Sequence, residues 1–150
     1  MNREIVFRGK DVGSGRWEFG YFTECVEPMD EPVVLPYITD IENNSFIVYR
    51  ETVSQYTGLK DSTGKRIFEG DILEFEDLGE EGYEYKEGFD FINTASVVFN
   101  NGRFELENFW SGNSGVMEEM GNDHDEFMGV FSGSKIIGNI HDNPELLEVQ

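Results

Sequence analysis

The stretch from Ser54 to Leu73 constrains the fold more than any other part of the sequence. Three glycines of the kind found in turns separate its short apolar segments: Gly58, Gly64 and Gly70. Glycine adopts a positive φ without steric cost, and the polar residues beside it can hydrogen-bond their own backbone. The sequence therefore predicts two turns, at Asp61–Gly64 and Glu69–Asp71, followed by a strand that begins at Ile72. Turns this close together are typical of a small barrel-like β fold.

The N-terminal part shows the alternation expected of a half-buried sheet. Trp17, Phe19 and Tyr21 alternate with charged residues and glycine, which indicates a strand with one buried face. We expect this strand, over residues 16–22, to form a hairpin with a preceding strand over residues 4–9. The following run, residues 33–38, is predicted to be an edge strand, because Pro36 within it cannot donate a hydrogen bond to a sheet ladder.

The C-terminal half contains the strongest hairpin signal. Asn101-Gly102 lies between two β-prone runs, and both residues tolerate the positive φ of a type I′ turn. Residues 116–120 are predicted to form one or two helical turns, and residues 121–126 an acidic loop. A strand is expected at 135–140, and Asn143 followed by Pro144 predicts a short terminal helix. The predicted fold class is mainly β, with minor short helices.

Length and composition favour one domain. A chain of 150 residues can bury roughly 70% of its unfolded surface. We expect a single domain over residues 1–150, with an N-terminal β region at 1–53 and a barrel at 54–150 as its sub-parts. Cys25 is the only cysteine, which excludes an internal disulfide and fits a reducing cytoplasm. No apolar run approaches the roughly 20 residues of a membrane span, so the expectation is a soluble cytoplasmic protein with no membrane partner.

The charge is strongly negative and unevenly distributed. The formal net charge of −20 at pH 7 argues against direct nucleic-acid binding, which needs clustered lysine and arginine. Residues 69–90 carry ten carboxylates and one basic residue, Lys86, and this block predicts a solvated, mobile loop. A local basic excess occurs at Lys60, Lys65 and Arg66. It indicates either a solvated turn or a patch that pairs with the acidic loop of the same or a neighbouring subunit.

Three groups of residues invite a chemical interpretation, and none predicts a reaction centre. Residues 122–126 offer oxygen and imidazole ligands, but consecutive side chains diverge and the calcium-loop spacing is absent. Residues 111–115 lack the strand-turn-helix setting of a nucleophile elbow. Carboxylates near Cys25 disfavour its thiolate, and His141 is interpreted as a surface or capping residue. The sequence therefore predicts no catalytic residue, no cofactor and no metal, and the chain is not expected to be an enzyme.

One long motif consists of Gln55–Asp61, Gly64–Lys65 and Glu69–Ile72. It resembles the central motif of the YopX family, which is found in bacteriophages and prophages. Ile5–Gly9 is similar to the opening strand of that family, and Ile137–Leu147 is similar to its closing segment. The resemblance implies an SH3-like β-barrel, often of unassigned function. It brings no catalytic residues with it.

These observations predict a non-enzymatic phage or prophage accessory protein of unknown biochemical activity. We expect a binding or assembly module that self-associates and has a protein of the host or the phage as its partner. An alternative is an acidic decoy of a nucleic-acid-binding protein, since 20 charges equal those on roughly 34 Å of duplex. A lesser alternative is a metal-dependent hydrolase that uses Asp123, His124, Asp125 or Glu126. The predicted binding surface consists of five residues: Tyr56, Lys60, Lys65, Arg66 and Asp71.

Overall fold

The computed structural model describes residues 4–85 and 91–148. The chain forms two compact units, Met1–Gly58 and Leu59–Gln150. The sequence suggests a division between residues 53 and 54. The observed division, between Gly58 and Leu59, lies within the strand Ser54–Lys60, which begins at the suggested position.

The first unit contains an antiparallel sheet. Its strands are β1 (Phe7–Lys10), β2 (Trp17–Glu27), β3 (Val33–Thr39), β4 (Ser45–Ile47) and β5 (Ser54–Lys60), whose last residues belong to the second unit. They are arranged in the order β4-β3-β2-β1-β5, and a 3-10 turn over Arg50–Thr52 precedes β5. The predicted N-terminal hairpin is confirmed, because β1 pairs with β2 from Phe7 opposite Gly20 to Lys10 opposite Trp17.

Hydrogen bonds between the end of β1 and the residues that follow β4 enclose part of one face of this sheet. The amide of Val12 donates to the carbonyl of Ile47 at 2.9 Å, and the amide of Tyr49 donates to the carbonyl of Lys10 at 2.9 Å. The end of β1 thus lies beside the residues that follow β4. The enclosed face buries Ile38 and Val48 almost completely.

Strand β3 is not the edge strand that the sequence predicts. It lies between β2 and β4, with Pro36 opposite Glu24 of β2. On its other side the β4 ladder ends at Ile47, and the amide of Val48 donates to the carbonyl of Pro36 at 3.1 Å. The missing N–H of the proline therefore falls just beyond the β4 ladder, which makes proline tolerable at this position.

The second unit combines a sheet with two helices. Its elements are β6 (Arg66–Phe68), β7 (Asp71–Glu76), β8 (Ile92–Asn100), β9 (Arg103–Glu107), α1 (Gly115–Asn122), α2 (His124–Gly133), β10 (Lys135–Asn139) and a 3-10 turn over Pro144–Leu147. The sheet order is β10-β7-β8-β9, and β6 is hydrogen-bonded to the end of β5. The β8–β9 hairpin is confirmed as predicted, with φ of 52° at Asn101 and 82° at Gly102.

The core of the second unit lies between the sheet and the helices. Its buried members are Ile67, Leu73, Phe75, Ala95, Val97, Leu106, Val116, Phe127 and Phe131. Phe127 and Phe131 are four residues apart on α2, so they project from the same side of the helix and their rings meet edge to face at 5.5 Å.

The acidic loop predicted at residues 121–126 is wrong, because α1 runs to Asn122 and α2 begins at His124. Asp123 separates the two helices and caps the second, since its Oδ1 accepts a hydrogen bond from the amide of Glu126 at 3.2 Å. Acids in the first turn of a helix favour its formation through the helix dipole. The same carboxylates that suggest a loop therefore stabilise a helix start.

The fold is mainly β, as predicted. Within the described residues the strands form two antiparallel sheets without a closed barrel, so the SH3-like barrel is not confirmed.

Candidate functional site

An acidic cavity of about 700 Å³ lies within the second unit. It is formed by the end of β7, the segment that follows it, and the helices α1 and α2. Eight carboxylates line it: Glu76, Asp77, Glu81, Glu84, Glu118, Glu119, Asp123 and Glu126. Leu78, Val116 and Val130 add apolar surface, and none of the described lining residues is a lysine or an arginine.

Asp77 holds the walls of this cavity together. Its side chain is 1% exposed, and its Oδ1 accepts hydrogen bonds from the amides of Gly79 at 3.1 Å and Gly115 at 2.8 Å. Its Oδ2 accepts hydrogen bonds from the amide of the Asn93 side chain at 3.0 Å and from the hydroxyl of Ser114. A buried carboxylate is tolerated only when its lone pairs are satisfied, and these four donors satisfy them. Asp77 therefore fastens the segment after β7 to the start of α1.

A second set of hydrogen bonds continues this attachment. The amide of Glu80 donates to Oδ1 of Asn113 at 2.7 Å, and the Asn113 side chain donates to the carbonyl of Tyr83 at 3.0 Å. The hydroxyls of Tyr85 and Ser111 lie 2.6 Å apart. Residues 77–85 form no helix or strand and residues 81–84 are exposed, in keeping with a solvated loop, but hydrogen bonds attach this segment to residues 111–115. The rest of that prediction, residues 86–90 with Lys86, lies outside the described residues.

Two carboxylates of the cavity have shifted pKa values. Burial raises the pKa of Glu119, and the negative charges of Glu126, Asp77 and Asp123 raise it further. The pKa of Glu84 is lowered by hydrogen bonds from its own backbone amide and that of Gly82. Part of the rise at Glu119 comes from repulsion by these three neighbouring carboxylates. A positively charged group that entered the cavity would relieve this repulsion.

The predicted binding-surface residues do not all lie at the surface. Tyr56, in the first unit, is 5% exposed, and Asp71, in the second, is 3% exposed. Lys60, Lys65 and Arg66 are exposed and lie on the hairpin between β5 and β6. Only the three basic side chains can therefore contact a partner directly.

Asp71 and Asp61 instead have structural roles in the central motif. Oδ2 of Asp71 accepts a hydrogen bond from the amide of Phe68 at 2.8 Å, across a turn in which Gly70 has a φ of 90°. Asp61 accepts hydrogen bonds from the amides of Lys65 at 3.0 Å and Ile136 at 3.0 Å. Burial would raise the pKa of Asp61, but the hydrogen bonds outweigh it and lower the pKa. The motif thus connects its own turn to β10.

The C-terminal segment closes with the same kind of side-chain chemistry. Oδ1 of Asn139 accepts hydrogen bonds from the amides of His141 at 3.0 Å and Asp142 at 2.9 Å. Oδ1 of Asn143 accepts one from the amide of Asn139 at 3.2 Å. Residues 139–143, which lie within the closing segment Ile137–Leu147, therefore form a turn.

The remaining chemical candidates are also placed by the structure. Ser114 caps α1, where its hydroxyl accepts a hydrogen bond from the amide of Met117 at 3.0 Å. Within residues 4–85 and 91–148, no group of three or more His, Cys, Asp or Glu side chains is arranged to hold a metal ion. No helix in the described part of the chain is long and apolar enough to cross a membrane.

Sequence reasoning missed the cavity, although two signals pointed to its walls. Ser114 stands two residues before the apolar Val116 and can serve as a helix N-cap, and Asp123 with Glu126 three residues later is the pattern of a capping box. Nothing in the sequence relates Asp77 to Ser114, because the two residues are far apart in the chain and meet only in the fold.

Solved structures similar to the chain include "Crystal structure of protein EF1440 from Enterococcus faecalis", with 24% sequence identity and a TM-score of 0.47. The similarity covers 98% of this chain and 100% of that chain. None of the curated proteins compared with the chain is significantly similar to it. The model of a protein family described as "YopX protein" matches residues 27–148, which is most of the chain. The protein therefore belongs to the YopX family.

Proposed function

We propose that this protein is a non-enzymatic accessory protein of a phage or prophage that binds a cationic protein partner through the acidic cavity. The observation that carries the proposal is the cavity itself, in which eight carboxylates surround an apolar surface. The proposal includes self-association and a location in the cytoplasm of the bacterial host. The partner is a protein of the host or the phage.

The energetics indicate what kind of partner segment would fit. An exposed ion pair contributes only about 0–1 kcal/mol, so three or four pairs supply at most about 3–4 kcal/mol. That is too little for stable binding, and the apolar lining has to add to it. Leu78 is 62% exposed, and full burial of a leucine side chain contributes about 1.5–3 kcal/mol. The partner segment should therefore combine lysine or arginine with apolar residues.

A second candidate function is favoured by the same charges. A decoy of a nucleic-acid-binding protein has to present carboxylates in a fixed arrangement. The hydrogen bonds that hold residues 77–85 to residues 111–115 supply such an arrangement at the cavity. In this case the partner would be a basic nucleic-acid-binding protein, and duplex DNA would compete with this chain for it.

The test compares two triple variants. In the first, three cavity carboxylates are neutralised: Glu118→Gln, Glu119→Gln and Glu126→Gln. In the matched control, three exposed glutamates of the first unit are neutralised: Glu31→Gln, Glu42→Gln and Glu51→Gln. Each protein is used to capture partners from lysogenic cells, and the captured proteins are identified by mass spectrometry.

A basic protein that binds the wild type and the control but not the cavity variant would support the proposal. Equal capture by all three proteins would contradict it. Release of the captured protein by duplex DNA would favour the decoy, and retention in the presence of DNA would favour the accessory module.

A further inference from the structure

The turn between β5 and β6, in the second unit, carries a pair of basic side chains on one face. The amide of Asp61 donates to the carbonyl of Lys65 at 2.8 Å, and the amide of Gly64 donates to the carbonyl of Asp61 at 3.0 Å. These bonds close the hairpin, so the flanking residues Lys60 and Arg66 lie directly opposite each other, with Cβ atoms about 5 Å apart. Both side chains are exposed, and so is that of Lys65.

The apolar residues next to this pair fix the direction in which it points. Leu59 and Ile67 form the next opposing pair, and successive residues of a strand point to opposite faces. Ile67 is buried in the core of the second unit, and Leu59 packs against that core. Lys60 and Arg66 therefore point away from the core, toward solvent.

The fold brings a fourth basic residue, Lys135, from a distant part of the chain to the same place. The amide of Ser62 donates to the carbonyl of Ser134 at 2.8 Å, and the amide of Ile136 donates to Oδ2 of Asp61 at 3.0 Å. Lys135 lies between these two attachment points and is exposed. Four of the 11 lysine and arginine residues of the chain thus form what we call the basic corner: Lys60, Lys65, Arg66 and Lys135.

The carboxylates beside the basic corner only partly offset its charge. Asp61 is 5% exposed, and its oxygens accept hydrogen bonds from the amides of Thr63 and Ile136. Glu74 of β7 lies opposite Lys135 across the sheet, so Lys135 adds less positive charge than the hairpin does. Residues 59–67 carry three basic residues and one acid, which leaves a net charge of +2 in a chain whose total is −20.

We propose that the basic corner binds a short acidic segment of a partner protein. This surface is separate from the acidic cavity, and the inference goes beyond the cationic binding proposed there. Charges act over about 10 Å at 0.1 M salt, so the local positive charge governs a segment that touches the corner. The arginine fork fits a carboxylate with two hydrogen bonds, and each lysine adds a point charge.

Nucleic acid fits the same corner less well. Proteins that bind single strands combine a basic groove with aromatic side chains on which the bases stack. Residues 59–66 contain no aromatic residue. A long phosphate backbone would also extend past the corner and be repelled by the other carboxylates of a chain with a net charge of −20. A short acidic segment ends before it reaches them.

The test measures the fluorescence anisotropy of a labelled peptide of glutamate and glycine residues at low salt. The hairpin variant, Lys60→Gln with Arg66→Gln, removes the opposing pair. The matched control, Arg16→Gln with Arg50→Gln, removes two exposed basic residues of the first unit and changes the net charge equally. Loss of two ion pairs should weaken peptide binding about tenfold in the hairpin variant and less than about twofold in the control.

Further variants separate the two surfaces and the kind of contact. Arg66→Lys keeps the charge but loses the guanidinium fork, so it should weaken binding less than Arg66→Gln does. The cavity variant with Glu118→Gln, Glu119→Gln and Glu126→Gln should bind the acidic peptide at least as well as wild type. Failure of the cavity to bind a cationic partner would therefore leave this inference intact.

The outcomes decide between the possible partners. All variants should unfold at the same urea concentration as wild type, since the substituted side chains are exposed. Weaker binding by the hairpin variant alone would support the inference. Equal binding by both double variants, or no binding by wild type at any peptide concentration, would overturn it. A single-stranded DNA oligonucleotide that binds more tightly than the peptide, and is lost in the hairpin variant, would overturn the choice of partner.

Discussion

The sheet of the first unit and the acidic cavity of the second unit differ in how their charged side chains are arranged. In the first unit the side chain of Arg50 forms an ion pair with Glu24, whereas eight carboxylates line the cavity with no lysine or arginine among the described lining residues. A net charge of −20 is therefore no guide to the whole surface. The cavity, which has carboxylates and no described basic lining residue, suits a partner of opposite sign.

The carboxylates of the second unit divide further into buried and open ones. Asp61, Asp71 and Asp77 are each at most 5% exposed and accept hydrogen bonds from the backbone. Glu118 and Glu126 are exposed to solvent. The buried group builds the walls and turns, and the open group is available to a partner.

The largest expected effect follows from Asp77→Asn. An asparagine cannot accept all four hydrogen bonds, so buried donors would lose their acceptor, and each such loss costs about 1–3 kcal/mol. We expect the free energy of unfolding to fall by about 3 kcal/mol, measured by urea denaturation. The matched control is Asp125→Asn, an exposed acid of α2, which should change it by less than about 1 kcal/mol.

Equal destabilisation by Asp77→Asn and Asp125→Asn would contradict the division between buried and open carboxylates. The same variant also sharpens the comparison of the two regions. At temperatures where Asp77→Asn remains folded, it should weaken cationic binding and leave self-association unchanged.

A smaller loss is expected from Asp61→Asn, about 2 kcal/mol, because asparagine keeps one oxygen acceptor and therefore loses the hydrogen bond from either Lys65 or Ile136. The pKa of Asp61 is lowered in the folded state, so the folded protein holds the charged form more tightly than the unfolded chain does. This contribution is complete above the ordinary aspartate pKa of about 3.9 and is lost as the pH falls below it.

The measurement for Asp61 is urea denaturation of wild type and Asp61→Asn at neutral pH and at about pH 3. The difference between the two proteins should shrink on acidification. A difference that stays constant would show that the carboxylate charge of Asp61 does not contribute.

A moderate effect is expected from salt, which should weaken cationic binding at the cavity without weakening self-association. Exposed charges are screened beyond about 10 Å at 0.1 M salt. Binding of an amphipathic lysine-rich peptide to the cavity, measured by calorimetry, should weaken several-fold when the salt concentration is raised from below to above about 0.1 M. Self-association should stay constant or strengthen, because salt screens the repulsion between copies. Equal weakening of both would mean that the dimer also depends on ion pairs.

The local parts of this fold could be predicted from the sequence. Asn101-Gly102 needs positive φ at both residues, and this requirement acts within the hairpin itself. The turns with Gly64 and Gly70 follow from the same requirement. Alternation along residues 16–22 identified β2 for the same reason, since it depends only on neighbouring residues.

The cavity could not be predicted, because its two walls are joined by contacts between distant residues. Asp77 meets Ser114 and Gly115 only after β7 and α1 have packed on one core. The start of α2 was obscured by its acids, which resemble a solvated loop in composition although Asp123 caps a helix. The net charge gives the number of carboxylates, but it does not tell which of them the fold brings together.

The smallest expected effect concerns Glu119, whose raised pKa arises from burial and from the neighbouring carboxylates. In the folded state this side chain binds its proton more tightly than in the unfolded chain, so its charge destabilises the fold at neutral pH. The free energy of unfolding should rise as the pH falls through the raised pKa, and the gain is complete below about pH 4.3. Glu119→Gln should lack this gain and be more stable than wild type at neutral pH, by a few tenths of a kcal/mol. Urea denaturation at several pH values, with Glu31→Gln of the first unit as the control, measures this difference. If Glu119→Gln and wild type respond equally to pH, neither burial nor the neighbouring carboxylates raise the pKa of Glu119 in the folded protein. The cavity would then lose the electrostatic reason to attract a cationic partner.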